Sequence, residues 1–476
     1  MDIDNEATAV DWGLDVEVCR RARLSRDPRF DGEFYIAVRT TGIYCRPICP
    51  ARTPAEKNVT YYRSAALAAR DGYRPCLRCR PESAPNSPAW NGTSTTVQRA
   101  LTLIQQGALN DGSLVDLAGR LGIGERYLRK LFQREMGVSP QAVALNQRLL
   151  FAKKLLAETS LPITEVAFAA GFGSVRRFNS AVKTQFKLAP GALRKQRKRS
   201  SDRSSISLQL QYRPPYDWEG ISNFFSRHAI EGVESVNSDG YQRNIQFGDA
   251  PGSFTVRPLP GKHALQLDLQ IPDQGQLLPT VARVRRMFDL DANPAAIRQV
   301  LEQDPLLAPL LDRFEDVRSL GHWSLYESAF RGIVGQQVST RAARSVIARL
   351  AKAAGDDADS LVFPPAATIA SLEDEHFPMP GRRRDTLRQL CLKCANQEND
   401  LELVTVAALK GVGPWTTAMV SMRGDGQADT FPLGDLGLEK AWSNLGGDKK
   451  NLKNHMANWR PWGSYAANLL WRSLSA

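Results

Sequence analysis

The chain has 476 residues, of which 42% are hydrophobic and 24% charged, with a formal net charge of +12. Such a length exceeds a single core and predicts about three domains, and the composition excludes a disordered or fibrous chain. No run of about 18 apolar residues exists, which excludes a helical membrane span, and the positive balance favours a polyanionic partner.

The N-terminus, MDIDNEATAV, is acidic and lacks an apolar stretch, so no secretory signal is expected. Seven cysteines, an odd number, fit a reducing cytoplasm better than a disulfide framework. Cys19 lies in a helical segment and reads as core. Four others form two pairs, Cys45-x3-Cys49 and Cys76-x2-Cys79, the pattern that tetrahedral zinc requires. Four thiolates give such a zinc complex a charge of about −2. Arg39, Arg46, Arg52, Arg74, Arg78 and Arg80 surround the pairs, more cation than a purely structural zinc knot needs. A site that meets phosphate and uses a thiolate does need it.

PESAPNSPAWNGTSTT, rich in Pro, Ser, Thr and Asn, reads as a linker. Residues 97–193 read as helical. Leu114, Leu117, Ala118 and Leu121 form an apolar stripe that ends at Gly122, and Leu128, Leu131, Phe132 and Met136 form the next. The pattern recurs around Ala167…Gly171 and Phe178, Val182 and Phe186. Two helix-turn-helix units in series can place two recognition helices in successive major grooves about 34 Å apart. Arg126, Arg129 and Lys130 in the first copy, and Arg176, Arg177 and Lys183 in the second, are the expected DNA-facing residues. A generic helical bundle would repeat the stripes but has no reason to repeat the arginines.

RKQRKRSSDRSS is a second linker, solvated or touching phosphates. Residues 206–278 alternate polar and apolar in short runs, which predicts a small antiparallel sheet with one helix between Trp218 and Ala229; nothing there reads as chemical. From Val281 onward the chain is helical again, and six of the nine tryptophans lie from Trp323 on. They suit an aromatic pocket, although Trp442 reads equally well as core. Cys391-x2-Cys394 has no partner pair and reads as two helix cysteines. None of the five histidines sits in a ligand-spaced cluster.

In LKGVGPWTTA, Gly411 and Gly413 precede a helix, so the backbone can approach a phosphate oxygen, with a monovalent cation as a possible helper. Asp435 follows in FPLGD. This combination resembles the helix-hairpin-helix of the DNA glycosylase superfamily with its catalytic aspartate. A carboxylate beside the anomeric carbon stabilises an oxocarbenium-like transition state and can deprotonate water; a lone Asp in a loop is otherwise a helix N-cap. Trp415 stands where strand-cleaving relatives carry a lysine, so no Schiff base is expected. Trp415 and Trp471 are similar in placement to the pocket aromatics of alkyl-base glycosylases, where a cationic base gains about 0.5–2 kcal/mol from an indole face. The base must leave the stack to be reached. Gln337 matches the wedge that fills the gap, where the best-known bacterial relative has leucine, and Met419 falls where that relative has an aromatic residue.

Three resemblances then cover most of the chain. Residues 11–82, with VRTTGIYCRPICPAR, resemble the zinc domain of Ada-type alkylation-response proteins. Residues 97–194 resemble an AraC-type DNA-binding domain. Residues 206–476, with YRPPYDW and FPLGDLGL, resemble an AlkA-type 3-methyladenine DNA glycosylase. No PCHRV-like segment exists in the sequence, so a methylguanine methyltransferase domain like that of enteric Ada is not expected. The resemblance implies an Ada–AlkA fusion of α+β class. Its parts are a small α/β zinc domain (1–82), a linker (83–96), an all-helical double helix-turn-helix domain (97–194), a linker (195–205), a small antiparallel β-sheet domain (206–280) and an all-helical helix-hairpin-helix glycosylase domain (281–476).

The same resemblance makes Cys45 the methyl acceptor, Cys49, Cys76 and Cys79 the remaining zinc ligands, and Thr41, Arg52 and Arg74 phosphate contacts; Pro50 replaces an arginine of the enteric protein. It implies irreversible methyl transfer from DNA phosphotriesters, a switch to transcription activation, and a monofunctional glycosylase. Expected partners are damaged and promoter double-stranded DNA and RNA polymerase, with a monomer in the cytoplasm. Two competing readings remain. One is a transcription factor with structural zinc and a non-catalytic glycosylase-like sensor. The other is a glycosylase whose N-terminal half only raises DNA affinity.

Overall fold

The computed structural model describes residues 15–81, 84, 95–110, 112–194, 205–248, 250–355, 361–395 and 401–474. The two expected linkers lie almost wholly outside the described residues. The chain divides into two compact units, residues 1–198 and 199–476. No helix among the described residues is long and apolar enough to cross a membrane.

The first unit opens with α1 (Val16–Ser25), capped by Asp15, whose side chain accepts from the Glu17 amide. Cys19 is fully buried with Ala22, Phe34 and Ile36, and burial pushes its thiol up to about 12; it is core, as read. A four-stranded sheet follows: β1 (Tyr35–Val38), β2 (Ile43–Cys45), β3 (Val59–Tyr62) and β4 (Arg74–Pro75), in the order β3-β1-β2-β4. Helix α2 (Ala65–Arg70) lies between β3 and β4. The pairs β1–β2 and β1–β3 are antiparallel, but β2 and β4 run parallel, with Tyr44 opposite Pro75. That register brings the end of β2, which is Cys45, beside Cys76, whose amide donates to the Tyr44 carbonyl at 2.9 Å.

The helical part comprises α3 (Thr95–Gln105), α4 (Leu114–Arg120), α5 (Glu125–Met136), α6 (Pro140–Glu158), α7 (Ile163–Ala169), α8 (Val175–Phe186) and α9 (Pro190–Leu193). Helices α4–α5 and α7–α8 are the two expected helix-turn-helix pairs. Each turn passes through a glycine in the left-handed region, Gly122 (φ 68) and Gly171 (φ 79), a conformation that costs other residues energy. At Gly171 an added Cβ would also lie 2.5 Å from the Asn110 side chain. The stripes face inward as expected: Leu128, Leu131, Phe132 and Met136 are buried on α5, and Phe178, Val182 and Phe186 on α8. Helix α6 joins the pairs and carries two buried lysines, Lys153 and Lys154.

In the second unit, β5 (Ile206–Gln211), β6 (Glu234–Asn237), β7 (Gly240–Phe247), β8 (Ala250–Pro258) and β9 (Ala264–Gln270) form one antiparallel sheet in the order β5-β9-β8-β7-β6. Alternate residues of β5 and β9 (Ile206, Leu208 and Leu210; Leu265, Leu267 and Leu269) are buried. Helix α10 (Trp218–His228) follows β5 and matches the expected helix.

The helices that follow are α11 (Leu277–Met287), α12 (Pro294–Leu301), α13 (Ala308–Arg313), α14 (Leu325–Val334), α15 (Thr340–Ala354), α16 (Ala366–Ser371), α17 (Gly381–Cys394), α18 (Leu403–Ala407), α19 (Pro414–Gly424), α20 (Leu436–Asn444), α21 (Leu452–His455) and α22 (Gly463–Ser473). A buried ion network ties the sheet to α14: Arg243 and Arg331 each pair with both Glu234 and Glu327. Cys391 and Cys394 are fully buried in the core around α14 and α17, and Trp442 in the core around α20 and α22. These side chains are packing, as their spacing allowed.

Candidate functional site

The parallel β2–β4 pairing builds the first site. The sulfurs of Cys45, Cys49, Cys76 and Cys79 all lie within 4.8 Å of one another, and among the described residues this is the one ligand cluster able to hold a metal ion. Tetrahedral zinc–thiolate bonds of about 2.3 Å put sulfurs about 3.8 Å apart, so the four thiols fit zinc. Thiols this close cannot all ionise unaided: Cys76 is held down by the hydrogen bond from Cys45, and Cys45 is pushed up by its hydrogen bonds with Cys49 and the other two sulfurs. A divalent cation removes that conflict.

The four sulfurs are not equivalent. Cys76 and Cys79 are each 6% exposed, whereas Cys45 and Cys49 are half-buried. Main-chain N–H groups reach three of them: Arg46 N donates to Cys79 at 3.3 Å, Arg78 N to Cys76 at 3.4 Å, and Ala51 N to Cys49. Cys45 hydrogen-bonds with the other three sulfurs.

The arginine shell is smaller than the sequence implied. Arg46 is 2% exposed and turns inward, donating from Nε to Asp31 Oδ1 at 2.7 Å and from Nη1 to the Cys79 carbonyl at 2.9 Å. Arg80 pairs with Glu158 of α6 at 2.7 Å, and Arg39 donates to the Lys57 carbonyl. Thr41 and Arg52 are exposed and Arg74 is half-buried on β4, so these three can still meet a ligand. Helix α6 also touches the metal loop directly, since Lys153 Nζ donates to the Cys76 carbonyl at 3.0 Å.

On α5 and α8, Arg126, Arg129, Lys130, Arg176, Arg177 and Lys183 are all exposed. Arg129 is held by Glu125 one turn earlier at 2.6 Å, and the Ser174 hydroxyl caps α8 by accepting from the Arg177 amide. Both positive faces are therefore set by helix geometry and are exposed among the described residues.

The third site lies around α19. Gly411 has φ 95, and a Cβ there would sit 2.4 Å from Thr386 Oγ1; only glycine makes this turn. Gly413 is the N-cap of α19, and a Cβ there would meet nothing within 4 Å, so its surroundings are open. Gln336, which sequence reasoning passed over, donates to the Gly411 carbonyl at 2.9 Å and to Thr416 Oγ1 at 3.1 Å. Its neighbour Gln337 is exposed in the left-handed region at φ 55, backbone strain of the kind that gathers at functional positions.

Asp435 does two jobs. Its Oδ1 caps α20 by accepting from Leu438 N at 2.9 Å. The same oxygen accepts from Trp471 Nε1 at 3.0 Å, and Oδ2 accepts from Trp415 Nε1 at 3.0 Å. The N-cap expected of a lone Asp is therefore present, on a carboxylate that two indoles also hold. Asp435, Trp415, Trp471 and Met419 line a cavity of about 790 Å³.

Sequence reasoning missed further lining residues of this cavity. Helix α10, in the segment expected to be chemically silent, supplies Phe224 and His228, and α19 supplies Arg423. Their only early signal was position: on α10, Phe225 is buried while Phe224 is half-buried, so Phe224 turns away from the sheet core.

Comparison with known proteins gives a consistent picture. Residues 18–82 match the metal binding domain of Ada, residues 117–196 a helix-turn-helix domain, and residues 207–324 the AlkA N-terminal domain. The chain is 38% identical, over 97% of its length and 97% of the relative's, to a probable bifunctional transcriptional activator/DNA repair enzyme AlkA of Mycobacterium tuberculosis. It is 26% identical to DNA-3-methyladenine glycosylase 2 of Escherichia coli over 55% of this chain and 95% of that one. It is 40% identical to the E. coli bifunctional transcriptional activator/DNA repair enzyme Ada over 25% of this chain and 32% of that one.

Proposed function

The chain belongs to the family of bifunctional transcriptional activator/DNA repair proteins that join an Ada-type half to an AlkA-type half, and from that premise we propose that it both senses and repairs alkylated DNA. Residues 1–82 form the methyl-acceptor domain, 97–194 the DNA-reading domain, and 206–476 the glycosylase, whose sheet occupies 206–280 and whose helical part 281–476.

The observation that carries the hydrolytic half is Asp435, gripped by the indole N–H groups of Trp415 and Trp471 on the wall of a large cavity. Two fixed donors orient the carboxylate before substrate arrives. With a flipped base in the cavity, water gives its oxygen to the sugar C1′ and a proton to Asp435. The electrons of the glycosidic bond leave with the base. Gly411 and Gly413 bring backbone N–H groups to a DNA phosphate, assisted by a monovalent cation, and Gln337 fills the space the base leaves.

The transfer half rests on Cys45. It is half-buried rather than buried, and its hydrogen bonds are with the other three sulfurs. Bound zinc keeps the sulfurs ionised at neutral pH. The Cys45 sulfur attacks the methyl carbon of a phosphotriester, an S–C bond forms as the C–O bond breaks, and the electron pair stays on the phosphate oxygen. Thr41, Arg52 and Arg74 hold that phosphate. The thioether product carries about one negative charge less, so the surface repels DNA less. The two reading helices, through Arg126, Arg129, Arg176 and Arg177, then hold promoter DNA. Recruitment of RNA polymerase, action as a monomer and residence in the cytoplasm belong to the same reading.

The test is base release from alkylated duplex DNA by the wild type and Asp435→Asn. Asn retains the helix cap, so a folded variant with at least a hundredfold loss supports the reading. Equal release by both proteins takes the chemistry away from Asp435, and release by neither above the spontaneous rate leaves the sensor-only reading in its place.

A further inference from the structure

A basic surface meets the turn at Gly411. Helix α17 opens with three consecutive arginines, Arg382, Arg383 and Arg384, and they are not alike. Arg384 is held by Asp374 at 2.6 Å and by Asp385 at 3.2 Å, and Asp374 also takes Arg388 at 2.7 Å. Arg382 is exposed and Arg383 half-buried. Among the described residues neither has a carboxylate within ion-pair reach.

Both lie on the side of α17 that packs on the hairpin. Residues three and four apart share a helix face. One turn after Arg382 and Arg383 comes Thr386, which is buried, with Oγ1 2.9 Å from the carbonyl oxygens of both Arg382 and Lys410. Lys410 immediately precedes Gly411 and is exposed. Gln336, just past α14, reaches the same turn, its Nε2 donating to the Gly411 carbonyl at 2.9 Å. The start of α17, the hairpin and the segment that carries Gln337 therefore meet at one turn. Three cations gathered there repel one another, a cost that an arriving polyanion removes. The acids of the same segment, Asp374 and Asp385, are already engaged by Arg384 and Arg388.

Resting on the glycosylase reading above, we propose that Arg382, Arg383 and Lys410 form a phosphate seat beside the hairpin, which holds the DNA backbone outside the nucleotide being excised. Main chain and side chains then do different work. The turn at Gly411 and Gly413 lets backbone amides approach one phosphate closely. The guanidinium and ammonium groups, on longer stems, neutralise its neighbours. Such contacts fix register on the duplex and carry no sequence information. They touch no reacting atom, so these three are positioning residues: they act on how tightly the duplex is seated, and Asp435 acts on the bond that breaks.

The test follows single-turnover base release by the full-length protein from duplex DNA methylated with dimethyl sulfate, across protein and salt concentrations. The DNA contacts of α5 and α8 are the same in every variant and cancel in the comparison. One phosphate contact contributes about 0.9 to the slope of log affinity against log salt. The double variant Arg382→Ala with Arg383→Ala should raise the half-saturating concentration about tenfold and reduce that slope by about 2, with the effect in half-saturation rather than in the rate at saturation. Lysine at both positions should keep the wild-type slope. Arg384→Ala removes an equal charge that Asp374 already engages, and should also keep it. If the double variant fails to fold, Arg382→Ala alone, at an exposed site, carries the same test with a slope change of about 1. A folded variant with wild-type half-saturation and slope overturns the proposal. Lost affinity with an unchanged slope overturns it too, because it assigns the arginines to base edges. An equal slope change in Arg384→Ala overturns it by making the effect one of net charge. Wild-type release no faster than the spontaneous rate removes the glycosylase reading itself, and this inference with it.

Discussion

The indole Nε1 of Trp415 donates to Oδ2 of Asp435 across 3.0 Å, so the first turn of α19 orients the carboxylate that caps α20. A hydrogen bond to a charged group contributes about 1.5–3 kcal/mol. Trp415→Phe keeps the ring and removes the donor, so base release should fall about ten- to a hundredfold with little change in melting temperature. The double variant with Trp471→Phe should lose less than the product of the two single effects, because both act on one carboxylate. Single-turnover release measures both; an undiminished Trp415→Phe rate would show that the bond is incidental.

Zinc should be a folding element as well as a chemical one. The four cysteines lie at or just past the C-terminal ends of the two parallel strands β2 and β4, and structural zinc sites contribute several kcal/mol of stability. A strong chelator should lower the melting temperature of the first unit and leave base release by the second unit unchanged. Mass spectrometry after incubation with methylphosphotriester DNA should find one added methyl, on Cys45. A methyl on Cys49 instead would reassign the acceptor.

Two arginines near the metal should behave in opposite ways. Arg46 is buried against Asp31 and the Cys79 carbonyl, and breaking a buried pair costs about 3–5 kcal/mol. Arg46→Ala should therefore unfold or badly destabilise the first unit. Arg52 is exposed, so Arg52→Ala should keep the melting temperature and weaken phosphotriester repair. Thermal melts and transfer rates for the two variants decide this; matching profiles would refute it.

The reading helices make a salt-dependent prediction. Arg126 and Arg177 are exposed on the two copies. If each neutralises one phosphate, each Ala variant should reduce the slope of log affinity against log salt by about 1. An unchanged slope in both variants would place the DNA elsewhere.

Asp289 gives a pH signature. Burial, opposed by Arg318 and the Ser319 amide, raises its pKa from 3.8 to about 7. A raised carboxyl pKa stabilises the fold most fully below about pH 4, and the benefit is lost as pH rises through 7. Between pH 5 and 8.5 the melting temperature of the second unit should fall by several degrees. Asp289→Asn mimics the protonated acid toward Tyr465 and should flatten that dependence. A wild type insensitive to pH over this window would contradict the assignment.

What the sequence made legible was local. The cysteine spacings, the repeated apolar stripes of α5 and α8, and the turn at Gly411 are written in consecutive residues. Asp435 was legible as a candidate because its motif surrounds it. The inward turn of Arg46 was not, since its partner Asp31 lies on a different element and exposure leaves no mark on composition. The pocket wall was hidden for the same reason: Phe224, Arg423 and Trp471 are distant in sequence and meet only when α10, α19 and α22 pack. The parallel pairing of β2 with β4 also escaped, because two-residue strands carry no periodicity.

Lys153 and Lys154 give α6 a further consequence. This helix of 19 residues spans about 28 Å and links both reading pairs, yet its buried amines also clasp the metal loop and the Glu158 carboxylate. The four-cysteine loop and both helix-turn-helix pairs therefore share one helix. If Cys45 is the acceptor, that helix holds, through Lys153, the carbonyl of Cys76, whose sulfur sits in the same cluster as that of Cys45.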